Sequence, residues 1–266
     1  MVNVTVAILT LNSSRNIIKC LNSVKKFKEI IILDGGSVDS TLQIAKQFNC
    51  KIIRQEKKFQ FKNKKINDFS QLRNLILKKA KYELVLMLDS DEIFDQTKLQ
   101  KIDFFSKSII NRNKYFCYLI PRIPNFNNLS FKKSNLNPNY QPRLFYRSRT
   151  DGYVKKVHET PFPIHEKLKK LKIDDLYIKF SANLSKEEIR KKFKYYYLLE
   201  KKMISKTFFK PLYFILIKLF NNFKMIIKYF FKNKSNKDIK KYEKNIIKFN
   251  LYYSFKLLLN KLKIIN

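Results

Sequence analysis

Glycine is scarce in this chain, which has only three glycines among its 266 residues. The glycine-rich phosphate loops GxGxxG and GxxxxGK(S/T) are both missing, which disfavours the nucleotide-binding proteins built on them. Two of the three glycines, Gly35 and Gly36, nevertheless stand side by side in the stretch LDGGSVDS. Cysteine is equally scarce. Cys20, Cys50 and Cys117 are scattered and odd in number, so they predict no disulfide framework and no metal cluster, and they indicate a reducing compartment.

Acidic residues are few as well: 21 aspartates and glutamates face 57 lysines and arginines, for a formal net charge of +36. Such an excess favours a polyanionic partner, either nucleic acid or anionic lipid. Lysine, isoleucine and asparagine dominate the whole chain, as in proteins from AT-rich genomes, so part of the excess reflects composition. The opening MVNVTVAILTLN has no charged segment and no cleavage site, and we expect a strand there rather than a signal peptide.

Short apolar runs rich in β-branched residues alternate with segments of helical periodicity in the first third of the chain. The predicted strands are Val4–Leu9, Glu29–Leu33, Lys51–Arg54 and Glu83–Leu88. The predicted helices are one with Ile17, Ile18, Leu21 and Val24 on its apolar face, then Asp39–Phe48 and Asp68–Ala80. This alternation predicts an α/β fold with right-handed crossovers and a mostly parallel, doubly wound, Rossmann-like sheet.

The glycine pair follows the second predicted strand and lies between Asp34 and Asp39. Ligands of doubly wound sheets bind at the carboxyl ends of the strands, and glycine lets the backbone turn sharply and approach a ligand. The stretch therefore favours a ligand-binding loop. A plain turn from strand to helix is the alternative.

A pair of carboxylates, Asp89 and Asp91, follows the strand ELVLML. Residues two apart in an extended stretch point the same way, and two such carboxylates repel unless a cation or a proton lies between them. Mg²⁺ and Mn²⁺ prefer oxygen ligands and bind through a few carboxylates plus substrate phosphates. The pair therefore predicts a divalent metal site. An acidic loop that caps the next helix is the alternative.

Taken together, these segments resemble the family 2 glycosyltransferases of the GT-A fold. The segments that carry the resemblance come in the family's order: AILTLNSSRNIIKCLNSV, EIIILDGGSVDSTLQIAKQF and FSQLRNLILKKAKYELVLMLDSDE. A further segment, PRLFYRSRTDGYVKKVHE, is similar to a subgroup that includes lipopolysaccharide-core β-1,4-glucosyltransferases.

The resemblance implies a nucleotide-sugar site at the carboxyl edge of the sheet. Its implied members are Thr10 and Asn12 near the nucleotide, Asp34 on the uracil or ribose, Gly36, Ser37 and Asp39 shaping that loop, Arg73 on the nucleotide or its phosphates, and the DxD pair Asp89 and Asp91, with Asp91 as the direct metal ligand. The stretch from Val157 to Glu159 would lie across the sugar site.

Sugar transfer also needs help for the leaving group and for the acceptor. A divalent ion on Asp89 and Asp91 would stabilise the diphosphate as a Lewis acid, with help from Arg73 and Arg143. A carboxylate or imidazole would take the proton of the acceptor hydroxyl, and direct attack would invert the anomeric centre.

Glu159 is our candidate for the acceptor base. His158 is a second candidate for that role, or for binding metal or phosphate, whereas His165 and Glu166 form a second His-Glu pair that we interpret as surface decoration. Glu92 is a weaker candidate base and could instead cap the helix expected to begin near Gln96.

The chain departs from the family pattern in two places. Ser13 and Ser14 stand where the family often has acidic residues, and Lys179 stands where the subgroup usually has a histidine. If that histidine binds metal in relatives, the metal site is weaker here, or the ammonium of Lys179 takes a cationic role.

The last part of the chain is strongly basic, with 17 lysines and only two acidic residues after residue 200. The stretch PLYFILIKLFNNFKMIIKYFF is long enough to span a membrane. It carries a polar arc, however, that includes Lys218, Asn222, Lys224 and Lys228, which favours an amphipathic helix lying in the membrane plane. A second such helix is expected over Lys240–Leu262. Packing of both helices on the catalytic domain is the alternative.

We therefore expect a GT-A catalytic domain over residues 1–185 and a basic, amphipathic helical region over residues 186–266. The predicted activity is transfer of a hexose, with UDP-hexose as donor and Mg²⁺ or Mn²⁺ as cofactor, to a lipid-linked or cell-envelope glycan. The expected location is the cytoplasm, peripheral at the inner face of the cytoplasmic membrane, on an anionic surface and without nucleic acid. The alternatives are a nucleotidyltransferase and a non-catalytic basic protein that binds nucleic acid by stacking bases on its tyrosines.

Overall fold

A computed structural model describes residues 1–54, 69–125, 139–154, 160–181, 185–204, 209–231 and 237–262. The chain divides into two compact units. The first comprises residues 1–123 and 138–180, and the second comprises residues 124–137 and 181–266. These units are a structural division, whereas the functional boundary between residues 185 and 186 stays a prediction.

The first unit is built on a large mixed sheet. Its parallel part alternates strands and helices: β1 (Val2–Thr10), α1 (Ser14–Val24), β2 (Phe27–Asp34), α2 (Thr41–Gln47), β3 (Lys51–Arg54), α3 (Phe69–Lys79) and β4 (Leu84–Asp89). Strand β1 lies in the middle, pairing parallel with β2 and with β4, and β2 pairs parallel with β3. All four predicted strands and the three predicted helices are therefore present, and the predicted α/β fold is confirmed.

The remaining strands of this unit include antiparallel pairs and a parallel one. They are β5 (Glu92–Phe94), β6 (Tyr115–Asn125), β7 (Asn139–Tyr146), β8 (Thr150–Val154), β9 (Thr160–Pro163), β10 (Lys169–Lys172) and β11 (Ile178–Ser181), and two helices, α4 (Leu99–Lys107) and α5 (Ile109–Lys114), precede β6. The described strands follow the order β3-β2-β1-β4-β7-β6-β11-β5, with β10 beside β6, while β8 and β9 form a separate ribbon. The pairs β4 with β7, β7 with β6 and β11 with β5 are antiparallel, whereas β10 pairs parallel with β6.

The core of the first unit lies on both faces of the sheet. Alternate residues of β1 point to opposite sides, so that Ile8 packs in one apolar cluster with α1 and α4, whereas Leu9 packs in the other with α3. This arrangement explains why β1 and β4 read as continuous apolar runs: strands covered on both faces need no polar side. One predicted core residue is misplaced, because Ile18 is 45% exposed on the outer side of α1.

The second unit contains three helices among its described residues: α6 (Lys186–Ile204), α7 (Phe209–Phe231) and α8 (Lys237–Leu262). Its core consists of Ile189, Tyr197, Ile215, Phe249, Tyr253 and Leu257. The two helices predicted for the basic part of the chain correspond to α7 and α8. In the described part of the chain, none of the helices combines the length and the apolar character that crossing a membrane requires.

The polar arc predicted for α7 is wrong at two positions. Lys218 bonds both carboxylate oxygens of Glu200 on α6 at 2.8 Å, and Asn222 is buried with its amide 3.2 Å from the Ser254 hydroxyl on α8. Both side chains therefore face neighbouring helices of the unit. The partners of Lys218 and Asn222 lie on other helices, so the periodicity of α7 alone could not predict that these two side chains point inward.

Candidate active site

The carboxyl ends of β1, β2 and β4 meet at one edge of the sheet. In the strand register Thr10 stands opposite Asp34, and Leu9 stands opposite Asp89. The two motifs singled out in the sequence, DGGS and DSDE, therefore begin on strands that flank β1 on either side. This edge is where doubly wound sheets bind their ligands.

The side chain of Asp34 organises the DGGS loop. Its Oδ2 accepts hydrogen bonds from the backbone N–H groups of Gly36 and Ser37, each at 2.9 Å, and its Oδ1 accepts the Thr10 hydroxyl at 3.2 Å and the Ser37 hydroxyl at 2.5 Å. Gly36 has φ = 94°, a backbone conformation that strains any residue with a Cβ. The glycine pair thus lets the chain turn back over the carboxylate that ends β2.

A second set of hydrogen bonds joins the ends of β1 and β2. The Asn12 N–H donates to the Ser37 hydroxyl, and the Val38 N–H donates to the Asn12 side-chain oxygen, both at 2.9 Å. Asn12 itself has φ = 49°, a left-handed conformation that asparagine tolerates better than most residues. The residues predicted to surround the nucleotide therefore form one connected surface.

Asp39 fixes the start of the helix that follows. Its carboxylate accepts the backbone N–H groups of Ser14 and Thr41, each at 3.0 Å, and the Thr41 hydroxyl at 2.5 Å. Burial would raise the pKa of Asp39, but the hydrogen bonds from Thr41 and Ser14 outweigh it and lower that pKa to about 2. Ser14, one of the two serines found in place of acidic residues, thus contributes its backbone to this loop.

Three arginines surround the first aspartate of the DxD pair. Arg143 Nη2 lies 2.8 Å from Asp89 Oδ2, Arg73 Nη2 lies 3.8 Å from Asp89 Oδ1, and Arg122 Nη2 lies 3.9 Å from Asp89 Oδ2. Burial would raise the pKa of Asp89, but these guanidinium groups hold it well below its usual range. Arg73 and Arg143, whose help for the diphosphate stays a prediction, thus lie beside the DxD stretch in the fold, together with Arg122.

Glu92 lies beneath this cluster and is completely buried. Its Oε1 accepts hydrogen bonds from Arg122 and, at 2.5 Å, from Arg143, while its Oε2 accepts the Asp89 N–H at 2.9 Å. Burial raises the pKa of Glu92, and the two arginines oppose that effect. The prediction that Glu92 caps a helix is wrong, because Asp95 accepts the Thr97 N–H at the start of that 3-10 turn.

Asp91 has fewer arginine neighbours than Asp89. Its side chain is 29% exposed, against 35% for Asp89, and an arginine, Arg122, lies 3.7 Å away. No group of three or more histidine, cysteine, aspartate or glutamate side chains in the described ranges is arranged to hold a metal. The two partly exposed carboxylates still fit Mg²⁺ or Mn²⁺, since such ions bind proteins through one or two carboxylates and take further ligands from substrate phosphates and water.

Strand alternation determines the direction of Lys179, the residue that stands where the subgroup usually has a histidine. In the antiparallel pairing of β11 with β5, Phe180 stands opposite Glu92 and Lys179 stands opposite Ile93. Residues directly opposite one another share a face, so Phe180 lies on the side of the carboxylates, where its ring lies 4.3 Å from the Arg122 guanidinium. The Lys179 ammonium lies instead 5.7 Å from the Tyr177 ring.

The serine at position 13 connects two loops of the site. Its hydroxyl lies 2.7 Å from the hydroxyl of Ser90, the middle residue of the DxD stretch, and its backbone N–H donates to Thr41 at 2.7 Å. Where relatives often carry an acid, this chain therefore has a neutral hydrogen-bonded link to the DxD loop.

Two predicted catalytic residues, His158 and Glu159, lie outside the described residues, so their roles stay predictions. His165 and Glu166 are exposed. Arg122 and Phe180 were not predicted from the sequence, nor was the ion pairing of Glu92 with Arg122 and Arg143, whereas a role of Glu92 as a base stays a prediction. A basic residue in the run PRIPN carries no local signal of a site 30 positions away in sequence.

Comparison with known proteins identifies the family. The model of glycosyl transferase family 2 matches residues 5–164, more than half of the chain. The chain belongs to glycosyl transferase family 2. The predicted family is thereby confirmed, whereas the lipopolysaccharide-core subgroup stays a prediction.

Among curated proteins, the chain is similar to the SPbeta prophage-derived glycosyltransferase SunS of Bacillus subtilis strain 168. The two are 32% identical over 169 residues, which make up 62% of this chain and 36% of SunS. Glycosyltransferase SunS of Bacillus phage SPbeta matches with the same values. The chain spans about a third of the length of these curated relatives.

Among solved structures, the chain is similar in fold to residues 1–349 of S. aureus TarS in complex with UDP-GlcNAc. The TM-score is 0.51 at 17% identity, and the match covers 96% of this chain and 73% of that one. Glucosyl-3-phosphoglycerate synthase of Mycobacterium tuberculosis, solved with Mn²⁺ and UDP-glucose, matches at a TM-score of 0.35 and 16% identity, over 46% of this chain and 43% of that one. The predicted GT-A fold is confirmed.

Proposed function

We propose that this protein transfers a hexose from a nucleoside diphosphate sugar, with UDP as the nucleotide, to a hydroxyl group of a lipid-linked or cell-envelope glycan. The observation that carries the proposal is the meeting of the DGGS loop and the arginine-lined DxD pair at one edge of a family 2 sheet. UDP-GlcNAc in the TarS complex and UDP-glucose in the mycobacterial complex support a UDP-sugar as donor.

The residues at this edge divide into two groups by charge. The loop held by Asp34, with Thr10, Asn12, Gly36, Ser37 and Asp39, offers hydrogen-bonding groups of the kind that bind a base and a ribose. Arg73, Arg143 and Arg122 offer guanidinium groups that bind phosphate oxygens in bidentate fashion. We propose that the nucleoside binds over the DGGS loop and that the diphosphate binds beside the DxD pair.

A divalent ion would bind through Asp91, the predicted direct ligand, next to Asp89, which Arg143 holds in place. Such an ion would supply a Lewis acid that stabilises the departing diphosphate. The arginines would stabilise the same developing charge from the protein side. Glu159 remains our candidate for the base that takes the acceptor proton, with His158 beside it, and single displacement would invert the anomeric centre.

The acceptor and the location are the least constrained parts of the proposal. Similarity of the PRLFYRSRTDGYVKKVHE segment to lipopolysaccharide-core enzymes supports an envelope glycan. The basic second unit and the three free cysteines support a peripheral position at the cytoplasmic face of the membrane.

The test measures donor binding and product identity together. UDP-glucose, UDP-GlcNAc, GDP-mannose and a CMP-sugar are screened by thermal shift with Mn²⁺ or Mg²⁺, and products are analysed for free UDP and for pyrophosphate. We expect a UDP-sugar to raise the melting temperature and to release UDP slowly without acceptor. Release of pyrophosphate from UTP and a sugar phosphate would indicate a nucleotidyltransferase. Retention of DNA or RNA on filters, with no response to any donor, would contradict catalysis.

A further inference from the structure

Helix α7 of the second unit turns two polar side chains inward beside the buried Ile215, and it exposes large apolar side chains. Its inward side chains include Asn222 and Lys218, which bond Ser254 and Glu200. Most of its exposed side chains are apolar, although Asn221 and Lys224 are exposed as well. The more exposed apolar ones are Tyr213 at 69%, Leu216 at 51%, Phe220 and Phe223 at 58% each, Phe230 at 71% and Phe231 at 84%. We call these six residues the outer aromatic stripe.

The stripe follows helical geometry. Tyr213, Leu216, Phe220, Phe223 and Phe230 recur at spacings of three, four and seven residues, which places them along one side of a helix. Helix α8 exposes a similar set at the same spacing, namely Tyr252, Phe255, Leu259 and Leu262. Contiguous exposed apolar surface of this kind marks an interaction site in soluble proteins.

Energetics favour an apolar environment outside α7. Burial of an amide or an ammonium is unfavourable unless hydrogen bonds compensate it, and α7 has such partners for Asn222 and Lys218. If water were the only environment outside α7, the opposite orientation of the helix would be favoured. It would bury the phenylalanines, and with them more apolar surface, and would need no buried ion pair. The observed orientation is therefore the one expected where the outer side of α7 contacts hydrocarbon.

Charge identifies which apolar environment fits. After residue 200 the chain carries 17 lysines against two acidic residues. Two copies meeting through this region would bring like charges together, whereas an anionic surface would neutralise them. Lys224 is exposed, and its ammonium lies 4.4 Å from the Phe220 ring. A lysine beside an inserted aromatic ring can extend its charge to the headgroups while its stem stays in the apolar layer.

We propose that the outer aromatic stripe of α7 inserts into one leaflet of an anionic lipid bilayer, with the helix lying in the membrane plane and the lysines at the headgroups. This orientation corrects the one expected from the sequence, in which Lys218 and Asn222 belong to the headgroup side. The proposal is independent of the donor chemistry, so vesicle binding can fail while sugar transfer persists, and the converse also holds.

The experiment is co-sedimentation of the full chain with vesicles of phosphatidylcholine alone or mixed with phosphatidylglycerol. The test variant combines Phe220→Ser, Phe223→Ser and Phe230→Ser. The matched control combines Phe104→Ser, Ile109→Ser and Ile110→Ser, three apolar positions of the first unit that are at least as exposed, at 61%, 64% and 81%. We expect the test variant to bind anionic vesicles at least ~100-fold more weakly, since insertion of each phenylalanine contributes more than a factor of ten when largely buried.

The control should bind like the wild type, and raising the salt concentration should weaken wild-type binding because headgroup attraction is screened. Circular dichroism should be unchanged in both variants, since all six positions are exposed. Equal vesicle binding by the test variant and the wild type would overturn the proposal, as would no vesicle binding at all. A concentration-dependent dimer that the test variant abolishes, with no binding to vesicles, would assign the stripe to a second copy instead.

Discussion

Replacing Glu92 with glutamine tests whether the carboxylate under the DxD pair is a structural counter-ion. The side chain is fully buried and accepts hydrogen bonds from Arg122, Arg143 and the Asp89 backbone. Glutamine keeps the shape but removes the negative charge, which leaves two buried guanidinium groups competing for Asp89 and Asp91. Loss of one partner from a buried ion pair typically destabilises a protein by about 3–5 kcal/mol.

Because glutamine still offers one acceptor oxygen, we expect the lower value for Glu92→Gln, about 3 kcal/mol. For a domain of this size each kcal/mol corresponds to about 2–4 °C, so the melting temperature should fall by about 6–12 °C. The melting temperature of Glu92→Ala should fall further, since alanine removes the acceptor of all three hydrogen bonds. Glu166→Gln, at an exposed site, is the matched control and should melt with the wild type.

If Glu92→Gln melts within about 1 °C of Glu166→Gln, Glu92 is not a charged partner of the arginines. It would then already be protonated in the wild type, and a protonated glutamate is as neutral as glutamine. Activity provides a separate check. Assayed well below its melting temperature, Glu92→Gln should keep turnover within about 10-fold of the wild type, whereas loss of a general base costs about 100-fold or more. A loss of that larger size would restore Glu92 as a candidate base.

Four further substitutions test the DGGS loop and strand β8 of the first unit. Asp34→Ala should lower the free energy of unfolding by about 2 kcal/mol in urea, because it removes a charged acceptor from several donors. In calorimetry it should also weaken UDP binding at least ~10-fold. Ser37→Ala should have smaller effects on both stability and UDP binding. Asp39→Asn should be less stable than the wild type at pH 6. In thermal melts the two proteins should converge in stability as the pH falls from about 4 towards 2. The Asp39 carboxylate has a pKa of about 2 in the folded protein, so it contributes its full stability above the unfolded pKa and loses that contribution as it is protonated. Gly152→Ala should destabilise the protein by about 1–3 kcal/mol in the same urea assay. Gly152 has φ = 109°, and a Cβ there would lie 2.9 Å from the Asn74 side-chain oxygen. Unchanged stability of the variant would contradict the expected strain.

The parallel half of the sheet could be predicted because its signals are local. Strands β1, β2 and β4 are covered on both faces, so their apolar runs stand out against the basic composition, and helices of period 3.6 separate them. The other half of the sheet gives no such signal. Strand β10, for example, has the sequence KKLK with three exposed lysines, and it is a strand only because it pairs, in parallel, with β6.

The site divides in the same way. Asp34, Asp89 and Asp91 follow directly from buried strands, so motif and position coincide in the sequence. Arg122 and Phe180 reach the carboxylates through strands β6 and β11, which are distant in sequence from the DxD pair. Their roles depend on sheet order and on side-chain alternation, and neither can be read from a single segment.

The charges at the DxD pair decide how a donor can bind. Three carboxylates, on Asp89, Asp91 and Glu92, face three arginines, so the cluster is close to neutral before any ligand arrives. In the proposed binding mode, a nucleoside diphosphate sugar would add roughly two negative charges beside the partly exposed Asp91, which would favour compensation by a divalent ion. The effect of Asp91→Asn should therefore change sign with metal. With Mn²⁺, the variant should bind UDP-sugar more weakly than the wild type, because an ion ligand is lost. In chelator, it should bind as tightly or tighter, because a repelling charge is gone. Calorimetry in both conditions measures the two affinities, and equal weakening in both would mean that Asp91 contacts the donor directly.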